Sequence, residues 1–210
     1  MKKIVRFLLG FCFVFLFASS VHANLITNGD FETGSLDPWI ITGNAVIHGD
    51  STDYRAELSV NSATGTTSDL WGRTWIGTTL FDIENSWTGL TIDYDMLFVT
   101  NTEDDNDYSW GQIRFYDASN GFMDGKLFLA SSNIPTGIVH RSDYVSFDAD
   151  YAKARVFFGL TDVNTDDDSD RSILYIDDVV VAPAPVPEPA TIVLFGLGLL
   201  GLAGVSRKKQ

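Results

Sequence analysis

Cysteine is almost missing from this 210-residue chain. Its one cysteine, Cys12, sits in an apolar run near the N-terminus, and none follows residue 23. That excludes disulfides, thiol nucleophiles and thiolate metal sites from the bulk of the chain. Histidine is nearly as scarce, with only His48 and His140 beyond residue 23. There is no Gly-x-Ser-x-Gly elbow, no His-x-x-x-His pair and no glycine-rich phosphate loop, so the common nucleophilic, zinc and nucleotide chemistries have no sequence footing. Positive charge is also short. Six of the 14 Lys+Arg residues lie within a few residues of the two ends, which leaves eight basic against 27 acidic residues in 24–186 and a formal charge of −19. Such a surface repels nucleic acid and anionic lipid, and nucleic acid is excluded as a partner. Amphipathic helical periodicity is missing between the ends.

What the ends do contain is ordered. Lys2, Lys3 and Arg6 precede an apolar run over 7–17, and Val21-His22-Ala23 follows with small residues at the positions a signal peptidase reads. Charge, apolar run and small residues in that order predict a secretory signal peptide over 1–23, removed after Ala23. At the other end, residues 182–189 form a proline-rich, extended spacer. Residues 190–205 are apolar, and Arg207, Lys208 and Lys209 come after them. A basic cluster after an apolar segment stays cytoplasmic, so the tail over 190–210 is expected to hold the chain in the inner membrane with the rest outside. Sixteen helical residues reach about 24 Å, short of a hydrocarbon core of about 30 Å, and Gly196, Gly198, Gly201 and Gly204 weaken the helix. A temporary anchor is expected; an ordinary tail anchor is the alternative.

Pro187-Glu188-Pro189, an apolar segment and a basic end together resemble the PEP-CTERM sorting signal of Gram-negative bacteria. The resemblance implies an exosortase-like partner that cleaves near the motif. It also implies delivery to the cell surface or the exopolysaccharide matrix. It covers only about the last two dozen residues.

Between the ends, residues 24–181 read as one β domain with a sizeable core. Leu90, Ile92, Tyr94, Met96 and Phe98 alternate with polar residues, the mark of a half-buried strand. Further strands are expected at 39–42, 45–48, 54–60, 70–77, 108–116, 126–130, 143–147, 154–160 and 173–181. Turn signals lie at Thr42-Gly43-Asn44, Asn120-Gly121, Asp124-Gly125 and Ser131-Ser132-Asn133. Many short strands with polar turns predict an all-β antiparallel sandwich or barrel.

The first and last strands carry a second resemblance. Residues 24–34, Asn-Leu-Ile-Thr-Asn-Gly-Asp-Phe-Glu-Thr-Gly, with Trp39 after them, are similar to the opening of family 4 and 9 carbohydrate-binding modules. Residues 175–181, Tyr-Ile-Asp-Asp-Val-Val-Val, are similar to their closing strand. The resemblance implies a galactose-binding-like jelly roll. It also implies a structural calcium tying the first segment to the last strand, with Glu32 and Asp178 at the matching positions. The alternative is that these carboxylates are solvated or form turns with their own backbone. The acidic loop over 162–170 also alternates oxygen ligands, but Asp167 and Ile173 stand where an EF-hand needs Gly and Glu.

Aromatic residues supply the candidate ligand surface. Trp71, Arg73 and Trp75 share one strand face; Tyr108, Trp110, Gln112, Arg114 and Tyr116 share another, with Ile113 and Phe115 opposite. Rings interleaved with Arg and Gln suit stacking on sugars with polar groups beside them. The alternative is that the rings fill the core, as most Trp do. Trp39 and Trp87 are expected as core or edge fillers. Glycoside hydrolysis would need two carboxylates in a cleft, and 27 acidic residues make some pair inevitable, so their number argues nothing. The expectation is a noncatalytic exopolysaccharide-binding protein. A structural or adhesive surface protein is the alternative, and a glycan-active hydrolase a weaker one.

Overall fold

Alternating burial marks the central strands of the described residues. The computed structural model describes residues 24–61, 72–99, 107–131, 137–147, 150–162 and 171–184. Among them lie β1 (Ile40–Thr42), β2 (Asn44–Asp50), β3 (Asp53–Asn61), β4 (Gly72–Gly77), β5 (Phe81–Asp82) and β6 (Gly89–Val99). They continue with β7 (Tyr108–Tyr116), β8 (Phe122–Ser131), β9 (Val139–Ser146), β10 (Lys153–Asp162) and β11 (Arg171–Pro183). In β6 the predicted residues Leu90, Ile92, Tyr94 and Phe98 have no exposed surface, and the polar residues between them are partly open. Each such burial contributes about 1.5–3 kcal/mol, which fixes the register of the strand.

The strands form two antiparallel sheets. One has the order β1-β4-β10-β7-β8, with β5 pairing β10; the other runs β2-β3-β11-β6-β9. Their inner faces meet in a core that includes Phe31, Trp39, Leu58, Ile76, Tyr94, Phe98, Ile113, Phe115, Phe158, Leu174 and Ile176. This is the expected all-β, jelly-roll β-sandwich, and Asn24–Ala184 makes up one compact unit. Trp39 is buried in the core and Trp87 packs against it, as expected. The buried Tyr94 hydroxyl donates to Asp143 Oδ2 at 2.9 Å, so the core's largest polar side chain is satisfied.

Of three turn readings, two hold and one does not. Thr42-Gly43-Asn44 does separate β1 from β2, and Gly43 has φ +85° where a Cβ would meet the Thr74 hydroxyl at 2.5 Å. Asn120-Gly121 closes the β7–β8 hairpin, with Asp117 Oδ1 accepting from the Ser119 and Gly121 amides. Asp124-Gly125, however, is not a turn. It lies inside β8, which begins four residues before its expected start. The Asp117 loop has already reversed the chain, and the irregular residues are absorbed as bulges opposite Gly111/Gln112 and Phe115/Tyr116. The leader over 1–23 and the tail over 185–210, with Pro187, Glu188 and Pro189, lie outside the described residues. So do Trp71 and residues 163–170 of the acidic loop.

Candidate functional site

The outer face of the six-stranded sheet gathers the predicted aromatic residues. β7 turns Ser109, Gly111, Ile113 and Phe115 inward, all buried, and Tyr108, Trp110, Gln112, Arg114 and Tyr116 outward, all half-buried. β4 turns Arg73 and Trp75 to the same outer side, with Arg73 exposed. The intervening strand, β10, registers Gly159 between Trp75 and Trp110, and Phe157 between Gly77 and Gln112. Two strands that are separate in sequence therefore share one surface.

The geometry around β10 sets the rings. A Cβ on Gly159 would lie 2.2 Å from the Trp110 ring, so only glycine lets the indole settle over this strand. Trp110 Nε1 donates to Thr161 Oγ1 at 3.0 Å, which fixes the ring's direction. Trp75 meets Phe157 edge-on, with centroids 5.3 Å apart. The Arg114 guanidinium caps the Phe157 ring at 4.6 Å while its Nε donates to Gln112 Oε1 at 2.8 Å. Arg155 approaches the same ring at 5.8 Å. Phe157, though on the outer face, is only 3% exposed because these side chains cover it. At the hairpin end, Tyr116 packs against exposed Phe122. The arrangement offers half-open rings flanked by fixed hydrogen-bond donors.

Sequence reading named the residues of β4 and β7 but missed Phe157, Gly159, Thr161 and Arg155 on β10. Their signal was present as strict alternation: Lys153, Arg155, Phe157, Gly159 and Thr161 outward against Ala154, Val156, Phe158 and Leu160, all four with no exposed surface. It carries no Trp, and only pairing in space shows that β10 is the strand between the other two.

The second predicted site lies where the first segment meets β11. Leu25 donates to the Val181 carbonyl at 2.8 Å, Val179 to the Gly29 carbonyl at 2.9 Å, and Val181 to Asn24 Oδ1 at 2.9 Å. Gly29 is required, since a Cβ there would fall 2.0 Å from the Val179 carbonyl oxygen. β11 is irregular between Asp177 and Val180, and Asp178 takes φ +48°. Glu32 Oε1 accepts from the Tyr54 amide at 3.0 Å. Burial first, then the charges of Asp95, Asp30, Asp53 and Glu32, raise the Asp178 carboxyl above its ordinary value. Burial likewise lifts Asp177 to about 6, against the lowering effect of its bond from the Asp178 amide. So many like charges around Asp178 suit a divalent cation. Among the described residues, however, no three His, Cys, Asp or Glu side chains converge as a ligand set. A calcium shell here has to draw on backbone carbonyls as well.

Residues 185–208 match the PEP-CTERM protein-sorting motif. The chain carries an exosortase sorting signal. That motif marks an exported, exosortase-processed surface protein, and its position agrees with the Pro187-Glu188-Pro189 reading. No curated protein matches the chain. Among solved structures it resembles the CBM22-1 xylan-binding domain of Paenibacillus barcinonensis Xyn10C, at 10% identity over 80% of this chain and 99% of that one, with a TM-score of 0.50. It also resembles the enzymatically active domain of bacteriophage CBA120 tailspike protein 4, at 15% identity over 77% of this chain, with a TM-score of 0.53. The match spans about a fifth of that tailspike chain (21%). A third resemblance is to a carbohydrate-binding module of the β-sandwich superfamily, at 10% identity over 78% of this chain and 64% of that one, with a TM-score of 0.50. At such identities the likeness is one of fold: a carbohydrate-binding-module-like sandwich.

Proposed function

We propose that this PEP-CTERM protein is a noncatalytic glycan-binding component of the extracellular matrix. On this reading a signal peptidase removes residues 1–23, the apolar tail holds the chain briefly in the inner membrane, and an exosortase-like enzyme releases it near Pro187-Glu188-Pro189. The observation that carries the glycan reading is the outward, half-buried row of Trp75, Trp110 and Tyr116 with Gln112 and Arg114 between the rings, opposite fully buried Ile113 and Phe115. Rings of a dry core are not interleaved with guanidinium groups. A structural calcium held by Glu32 and Asp178, with backbone carbonyls, would brace the joint between the first segment and β11.

The test is retention by the exopolysaccharide of the producing cells. The wild-type protein should sediment with that polymer, and Trp110→Ala should sediment less while keeping its melting temperature within a few degrees. A wild-type protein that stays in the supernatant would leave the structural or adhesive reading in its place.

A further inference from the structure

The outer face of the six-stranded sheet gathers positive charge in an acidic domain, with Asp82 of β5 opposite Lys153 at its margin. Four of the eight Lys+Arg residues in 24–186 stand there: Arg73 on β4, Arg114 on β7, and Lys153 and Arg155 on β10. Arg155 and Arg114 are direct partners across the β10–β7 pair. Opposed residues of an antiparallel pair have Cα atoms only about 4.5–5.5 Å apart, and like charges so placed destabilise a sheet. With 27 acidic residues available, such a pair is easily neutralised, yet it is not. Among the described residues no ion pair belongs to Arg114, Lys153 or Arg155. Arg114 spends Nε on neutral Gln112, and Lys153 donates to the neutral amide oxygen of Asn120 at 2.8 Å. Arg155 Nε is buried with no hydrogen-bond partner at all.

We infer that this face binds an acidic polysaccharide through the carboxylate of a uronic-acid unit, held between Arg114 and Arg155. The inference rests on the glycan-binding reading of the same face and names its ligand class. A carboxylate there relieves the repulsion between the two guanidinium groups and meets their planar donor forks. The sugar ring that bears it then reaches Trp110, one strand pairing away from Phe157 and beside Gly159. A uronate chain carries at most one charge per sugar ring. Nucleic acid packs one per about 1.7 Å of duplex, which the −19 domain repels far more strongly.

The probes are oligogalacturonate and oligomannuronate, each against its own carboxyl-reduced, neutral form, titrated calorimetrically into the exported protein at about 0.1 M salt, where screening acts beyond about 10 Å. At least one uronate should bind roughly tenfold or more tightly than its reduced form. Arg114→Gln with Arg155→Gln should erase that preference while the variant keeps the wild-type circular dichroism spectrum, and Trp110→Ala should weaken both forms. Equal or tighter binding of the reduced oligomers, indifference to the paired Arg changes, or no binding of either uronate overturns the inference. So does a single-stranded oligonucleotide bound more tightly than either uronate. Neutral oligomers that bind as tightly as the uronates and still depend on Trp110 would sink the acidic ligand alone, whereas uronate binding indifferent to Trp110→Ala would sink the platform reading itself.

Discussion

Trp110 and Gly159 make one unit: the indole lies where a side chain on Gly159 would be, with a virtual Cβ 2.2 Å from the ring. Gly159→Ala is therefore expected to push the ring off β10 and break the bond from Nε1 to Thr161. Overpacking of this kind costs about 1–3 kcal/mol. The urea midpoint should fall accordingly, and tryptophan emission should shift to the red as the indole becomes more exposed. An alanine variant with unchanged emission would mean that the ring is not seated on the strand.

The two faces of the same sheet should respond differently to truncation. Phe115 has no exposed surface and stacks with Tyr151 at a centroid distance of 4.3 Å. Phe115→Ala is expected to cost about 3–5 kcal/mol and leave polysaccharide binding intact in whatever remains folded. Trp75, half-buried and touching Phe157 edge-on, should cost less than half as much and lose binding. Equal destabilisation in both variants would place Trp75 in the core.

How much of this was legible follows from period and pairing. Alternation in Leu90–Phe98 and Tyr108–Tyr116 gave correct strand faces, because burial of one side is written directly in a period of two. Asp124-Gly125 misled because a local turn signature is overridden when Asp117 and Asn120-Gly121 have already made the reversal. The candidate site was only half legible. β4 and β7 announce themselves with Trp and Arg, but β10, which lies between them, carries its role in Gly159, whose lack of a side chain matters only through a neighbour distant in sequence. The joint at Asp178 was found through the motifs at both ends of the domain, whereas the like charges of Asp53 and Asp95 come from β3 and β6 and had no motif.

Processing gives a separate test. The sorting motif over 185–208 and the leader pattern over 1–23 predict a surface form that starts at Asn24 and ends near the proline-rich spacer. Intact-mass measurement on surface material should find that form. A surface species that still carries Arg207 to Gln210 would rule out exosortase release and leave a plain anchor.

Calcium removal should loosen the joint between the first segment and β11. A cation that binds only the folded state stabilises by mass action, about 2.7 kcal/mol at a hundredfold excess over Kd. Chelation should then lower the melting temperature, with magnesium as the control for simple screening of the −19 charge. Glu32→Ala and Asp178→Ala should each melt alike with and without chelator. A wild-type protein indifferent to chelation would remove calcium from the proposal.

The chelated protein should also have an unusual pH dependence. Asp177 has its carboxyl raised from 3.8 to about 6, first by burial, and Asp178 is raised in the same direction. A raised carboxyl binds its proton more tightly in the folded state than in the unfolded one. Its favourable contribution is complete below the unfolded value near 3.8 and is lost as pH rises through about 6. This runs opposite to the usual paired carboxylate, which stabilises once it is ionised. In chelator, the difference in melting temperature between wild type and Asp177→Asn should therefore grow with pH from about 4 to about 6, to the disadvantage of the wild type, and then level off. A difference that stays constant over this range would show that Asp177 titrates as it does in the unfolded chain. With calcium bound the dependence should shrink or reverse, since the cation favours the ionised carboxylates that burial disfavours.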